Sequence, residues 1–171
     1  QIKNVKYDIT STKFDLIIRG LNLKGRKIKN IFLNLIGDYN VLNATASIAI
    51  CLNLGISINI IKKALFNFSG VQRRLTKILV KDKKEFYDDY AHHPTEIRSV
   101  LKGIRLVSKK RKIISVFQPH RYSRIKNLKK EFAASFTNSN IVVLCPIYSA
   151  GEKKDKLYDQ DQFSFMIKKF S

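Results

Sequence analysis

The sequence predicts an α/β chain in two parts, and three observations carry that prediction. The first forty residues alternate apolar and polar side chains at the period of a strand; the residues that follow change to the period of a helix; from residue 75 onward strands and helices take turns. In the first stretch Phe14-Asp15-Leu16-Ile17 and Ile31-Phe32-Leu33-Asn34-Leu35 are the clearest runs. Gly20, Gly25 and Gly37 punctuate them, which reads as β-hairpin material. Val41, Ala44, Thr45, Ile48 and Leu52 then share one helical face and Gly55 supplies a stop, so a helix is expected over 41–54 and a second over 58–68, ending near Gly70. The run Gly70-Val71-Gln72-Arg73-Arg74-Leu75 breaks both periods, and a boundary there divides the chain into domains 1–72 and 73–171.

Beyond that boundary strands are expected over 75–80, 85–88, 112–117 and 141–145, with helices over 95–107 and 125–136. Strands alternating with helices of this length predict right-handed crossovers and a mostly parallel sheet with covered faces. Ligands of such sheets gather at the carboxyl ends of the strands. The polar clusters fall there: Asp88-Asp89-Tyr90-Ala91-His92-His93-Pro94, Gln118-Pro119-His120-Arg121-Tyr122-Ser123-Arg124, and Tyr148-Ser149-Ala150-Gly151-Glu152.

With 171 residues and 44% hydrophobic content the chain can bury a real core, which excludes a disordered basic tail despite a net charge of +20. Only 7 Gly and 3 Pro exclude collagen-like arrays, and no apolar run is long enough for a helical membrane span, so no membrane partner is expected. No signal sequence opens at Gln1, and Cys51 and Cys145 each sit among apolar neighbours; a cytoplasmic location is the expectation. The positive charge attracts anions in general. It is scattered in short groups such as Lys62-Lys63 and Lys109-Lys110-Arg111-Lys112, which read as solvated faces. No aromatic RNA-binding strand and no Cys/His zinc spacing accompany it, so nucleic acid is not the expected partner. A non-catalytic basic module that binds nucleic acid is the alternative reading, and steep salt dependence is its signature.

All three histidines, His92, His93 and His120, lie in two of the rim loops. Their spacing does not make a metal site, since an adjacent pair diverges and no third ligand follows at a familiar interval; no metal ligand is assigned. Arg121 and Arg124 stand three apart near a helix start, where two guanidinium groups can converge on phosphate or carboxylate. Of Asp88 and Asp89, one can accept from ribose hydroxyls while the other favours the dipole of the helix that begins at Pro94 and Glu96. Asn40 and Asn43 share a helix face, and a carboxamide matches the adenine edge; local chemistry alone favours Asn40 as a helix cap.

Taken in order, Gly37-Asp38-Tyr39-Asn40-Val41-Leu42-Asn43-Ala44, Gly70-Val71-Gln72-Arg73-Arg74, Asp88-Asp89-Tyr90-Ala91-His92-His93-Pro94-Thr95-Glu96-Ile97, Phe117-Gln118-Pro119-His120-Arg121-Tyr122-Ser123-Arg124 and Tyr148-Ser149-Ala150-Gly151-Glu152 resemble the Mur ligase superfamily, and within it the family that joins L-alanine to UDP-N-acetylmuramate. The resemblance implies the end of a central ATPase domain (1–72) followed by a Rossmann-like, mostly parallel carboxy-terminal domain (73–171), both incomplete. It implies ATP and Mg2+ as cofactors, UDP-N-acetylmuramate and L-alanine as partners, and an acyl phosphate intermediate. It reverses the local preference at Asn40: Asn40 and Asn43 are expected to read the adenine and Asp89 to contact the nucleotide. Arg74 is expected at the domain junction near the phosphates, in a catalytic role with His92 and His93, while His120, Arg121 and Arg124 face the substrate groups. Three departures stand out. Tyr39 replaces the usual histidine; no G-x-x-x-x-G-K-[ST] phosphate loop occurs, so the metal ligands and an amino-terminal partner chain are expected outside these residues; and the segment after Glu152 is short, so 155–171 is expected to pack poorly.

Overall fold

The computed structural model describes residues 1–20, 26–108 and 110–170; Gly25 and Lys109, and the end of the tail at Ser171, lie outside the described residues. The chain divides into two compact units, Gln1–Asp88 and Asp89–Ser171.

The first unit opens with a three-stranded antiparallel sheet, β1 (Ile2–Tyr7), β2 (Thr12–Ile18) and β3 (Arg26–Leu33), in the order β1-β2-β3. Alternation in β2 turns Thr12, Phe14, Leu16 and Ile18 inward, where Ile28, Ile31 and Leu33 of β3 meet them. Both ladders slip register near Asp15, and the slips are tied to it: Asn4 and Asn30 adopt φ of 53° and 57°, and the Asp15 carboxylate accepts from Asn4 Nδ2 and from the Asn30 backbone N–H, each at 2.8 Å. Those bonds, that from Asn30 above all, hold the Asp15 carboxyl below its usual range.

Helices α1 (Asp38–Asn53) and α2 (Ile58–Asn67) cover the inner face of the sheet, with Val41, Ala44, Ile48 and Ile61 in the shared core. Helix α1 starts three residues before the expected 41. Gly37, at φ 97°, turns the chain into the helix, and its carbonyl accepts from the N–H groups of Asn40 and Val41. A Cβ at that position would lie 2.7 Å from Cε1 of Tyr39. Strands β4 (Thr76–Lys81) and β5 (Lys84–Asp88) form an antiparallel hairpin that ends this unit.

In the second unit α3 (Pro94–Ser108) leads to β6 (Ile114–Phe117), and β6 pairs in parallel with β7 (Ile141–Leu144). Between them the expected helix over 125–136 is broken into α4 (Tyr122–Asn127), α5 (Lys129–Ala133) and a 3-10 turn, Ala134–Phe136. Leu128, at φ −127° and ψ 27°, leaves helical geometry. The break is mild because Leu128 N–H still donates to Arg124 O at 3.1 Å and Phe132 N–H to Leu128 O at 2.9 Å. The apolar face survives it, since Ile125, Phe132 and Phe136 are all buried.

Two further expectations are corrected. The fold is α/β, yet the strand expected over 85–88 pairs antiparallel with β4 rather than joining a parallel sheet; among the described residues parallel pairing is confined to β6–β7 and a bridge between His120 and Tyr148. The tail packs well: α6 (Gln160–Phe170) sends Phe163 and Ile167 into the core of the second unit with 0% and 4% exposure. Its apolar residues recur at helical spacing, and Asp159 Oδ1 accepts from the N–H groups of Asp161 and Gln162 at the helix start.

Candidate functional site

The ends of β6 and β7 position a cluster of polar groups in the second unit. Pairing continues past both strands: Cys145 N–H donates to Phe117 O, Tyr148 N–H to Pro119 O and Arg121 N–H to Tyr148 O, each at 2.9 Å. This ladder carries His120 and Tyr148 side by side, with ring centroids 5.4 Å apart. Arg121 then caps α4 at φ 73°, a conformation unusual for a side chain larger than glycine. One turn on, Arg124 directs Nη1 to His92 O at 3.4 Å and to His120 Nδ1 at 3.5 Å, so its guanidinium joins two loops. The His92 and His120 rings stand 6.4 Å apart.

The segment 89–93 owes its shape to two carboxylates. Asp89 Oδ1 accepts from Ala91 N–H at 2.7 Å, and Glu96 Oε2 accepts from the N–H groups of His92 and His93 at 2.9 and 3.2 Å. Glu96, third residue of α3, thus closes a capping box whose other half is His93 Nδ1, which accepts from Thr95 N–H at 3.4 Å. Asp88 pairs with Arg73 at 3.6 Å. His92 Nδ1 lies 2.8 Å from Tyr90 O and 3.6 Å from Glu96 Oε2, so the network places a proton on Nδ1.

Charge and burial set the protonation states. Burial first, then the charges of Arg124, Arg121 and His92, pull the His120 imidazole below its ordinary range and keep it neutral at pH 7. Arg124 donates toward Nδ1, which leaves the His120 proton on Nε2. Glu152 accepts from Ser123 Oγ at 2.5 Å and Ser123 N–H at 3.0 Å, and these bonds with the nearby Arg121 charge hold its carboxyl below the usual range.

In the first unit a cavity of about 400 Å³ is lined by Ile36, Asn40, Gly70, Arg74, Lys77 and Tyr87 among others. Arg74 sits between two left-handed residues, Arg73 at φ 57° and Leu75 at φ 49°. Asn40 is the third residue of α1, not its cap: Nδ2 donates to Ile36 O at 2.8 Å, leaving Oδ1 to accept. Asn43, one turn later, is exposed and lies outside the cavity lining. The sequence places Tyr148, Ser123, Glu96 and Glu152 in or beside the rim loops without giving them roles; the anchoring by the two acids has its signals in a carboxylate three residues into a helix and in a left-handed turn before Glu152.

An α/β unit that brings Arg121, Arg124, His92 and His120 together beside the carboxyl ends of two parallel strands has the geometry of a strand-end ligand site, and its guanidinium groups suit an anion. Comparison with known proteins gives the family. The profile of the Mur ligase glutamate ligase domain matches residues 73–165, and the chain belongs to the Mur ligase family. It is similar to the UDP-N-acetylmuramate--L-alanine ligase of Pelagibacter ubique (strain HTCC1062), 54% identical over 155 residues that make up 89% of this chain and 33% of the relative. The enzyme of the same name from Bartonella tribocorum is 46% identical over 152 residues, 88% of this chain and 32% of the relative. The chain therefore spans about a third of the length of the curated relatives it matches. Among solved structures, UDP-N-acetylmuramate-alanine ligase MurC of Thermotoga maritima superposes with a TM-score of 0.75 at 28% identity, covering 98% of this chain and 34% of that one. Folylpolyglutamate synthase of the same organism, at 20% identity and a TM-score of 0.61 over 99% of this chain and 37% of that one, shares the fold.

Proposed function

We propose that this chain serves an ATP-dependent ligase that joins L-alanine to UDP-N-acetylmuramate in the synthesis of peptidoglycan precursors in the cytoplasm, with residues 1–72 closing a central ATP-binding domain and 73–171 belonging to the carboxy-terminal domain. The observation that carries the reading is the Arg124 guanidinium between His92 O and His120 Nδ1 at the strand ends, with Arg121 beside it.

A carboxylate is a poor electrophile, and transfer of the ATP γ-phosphoryl group to the muramoyl carboxylate turns it into an acyl phosphate with a good leaving group. The alanine amine then attacks the carbonyl, and amide, ADP and phosphate result. Arg121 and Arg124 suit the anionic groups of these species, because guanidinium forks match carboxylate and phosphoryl oxygens. His120, neutral with its proton on Nε2, donates a hydrogen bond without adding charge. With Nδ1 held by Tyr90 O, His92 would accept a proton from the alanine ammonium at Nε2 when its ring is neutral. His93 is the neighbouring catalytic candidate. For the nucleotide, Asn40 and Arg74 share the lining of one cavity, and Asn43 and Asp89 complete the proposed contacts. Mg2+ neutralises phosphate charge when bound. Among the described residues no group of three or more His, Cys, Asp and Glu side chains is gathered for a cation, and no step is assigned to it.

By itself the chain, which carries no G-x-x-x-x-G-K-[ST] segment, is expected not to turn over ATP; an amino-terminal partner would supply that loop. The test joins residues 1–171 to the amino-terminal part of the Pelagibacter ubique ligase and measures phosphate release with ATP, Mg2+ and UDP-N-acetylmuramate. Alanine-dependent release, lost in Arg124→Met, is the expected result; a well-folded chimera that releases no phosphate on adding alanine refutes the reading.

A further inference from the structure

We propose that Glu152 is a positioning residue, whose carboxylate fixes the first turn of α4 and thereby aims Arg121 and Arg124 at the anion; this rests on the reading of that site as an anion site. Both oxygens of Glu152 engage one residue, Oε1 the Ser123 hydroxyl at 2.5 Å and Oε2 the Ser123 N–H at 3.0 Å. Ser123 lies between the two arginines, so whatever holds it holds both.

The turn it anchors resists formation. Arg121 stands at φ 73°, which an L side chain adopts only when its surroundings compel it. Two restraints flank it: the Arg121 N–H bond to Tyr148 O at 2.9 Å and the grip of Glu152 on Ser123. Both come from the segment that follows β7, so one loop sets the geometry of the other. That loop is shaped for the task. Ala150 and Gly151, at φ 50° and 86°, with Glu152 N–H bonded to Ser149 O at 3.1 Å, follow the φ pattern of a type I′ turn and bring Glu152 back toward α4.

The sign of its charge separates positioning from electrostatics. A carboxylate beside Arg121 opposes anion binding through space, so geometry and charge predict opposite effects of neutralising it. Inorganic phosphate is titrated calorimetrically into the 171-residue chain, its E152Q variant and its S123A variant, with melting curves as the check of folding. Positioning predicts that E152Q weakens phosphate binding at least threefold although local positive charge rises. It also predicts that S123A, which changes no charge, weakens binding in the same direction and moves the imidazole NMR signals of His120, which Ser123 does not touch. Unchanged or tighter binding in E152Q together with an inert S123A overturns the inference and leaves the anion site standing. Absence of phosphate binding by the parent chain overturns both. Should E152Q fail to fold, S123A decides alone.

Discussion

Phe163→Ala should cost the second unit most of its stability, because α6 is part of its core rather than a loose tail. Phe163 is 0% exposed, with its ring 6.4 Å from that of Tyr158. Burying a phenylalanine removes roughly 150–250 Å² from water, and deleting such a ring typically costs about 3–5 kcal/mol once the residual cavity is included. A unit of about eighty residues is stable by about 4–12 kcal/mol in all. A loss near 4 kcal/mol would lower the melting temperature by about 15–30 °C for a unit this size. The same helix supplies its own control: Phe165 is 58% exposed beneath Lys169 Nζ, 4.8 Å from its ring centroid, and Phe165→Ala should stay within about 0.5 kcal/mol. Urea unfolding of parent and variants, followed by amide exchange over 160–170, measures both. If Phe163→Ala costs less than about 1 kcal/mol, or no more than Phe165→Ala, the account of the tail as core is wrong.

Three other outcomes follow from the same geometry. Gly37→Ala combines a strained φ of 97° with a Cβ 2.7 Å from the Tyr39 ring and should destabilise the first unit by about 1–3 kcal/mol, read from its melting curve. His120 has a depressed pKa, so the folded state disfavours its proton. The stability it contributes is complete above the ordinary value of 6.5 and is lost as the pH falls from there through the folded value; NMR titration of the imidazole should give a midpoint below 6.5 and steeper loss of stability with acid than in His120→Gln. Asn40→Ala and Asn43→Ala should each weaken ATP binding, by about 1–3 kcal/mol if the carboxamide grips the base bidentately, and equal calorimetric affinities in variant and parent would remove that assignment.

Much of the architecture is legible in the sequence because it follows from local periodicity. The inward set Phe14, Leu16 and Ile18 and the helix face Val41, Ala44 and Ile48 emerge from spacing alone. Strand partnership is legible too, though the expectation of a parallel sheet overlooks it: only Asp82 and Lys83, both at positive φ, separate β4 from β5, and so short a link joins antiparallel strands, whereas a parallel pair needs a long crossover. The helix break at Leu128 carries no such signal, because the apolar rhythm continues across it. Of the candidate site, the rim residues His92, His120 and Arg124 are found together as their strand-end loops suggested. Asn40 lines the first unit's cavity, while Asn43, one turn on along α1, is exposed and outside that lining. Glu96 and Glu152 are visible in the sequence at a helix start and in a rim cluster, but the backbone N–H groups they hold are not, because that reach is a property of the fold rather than of composition.

The hydrogen-bonded ladder that outruns β6 and β7 has a consequence for how this rim can vary. Because His120 is stitched to Tyr148 through the main chain, the length of each connection is locked to that of the other; adding or removing a residue between Phe117 and Arg121 would shear the pairing and turn the imidazole and both guanidinium groups away together. Altered ligand preference should therefore arise by exchange of side chains on a constant backbone, and a library that randomises residues here without changing their number should retain far more folded members than one that inserts.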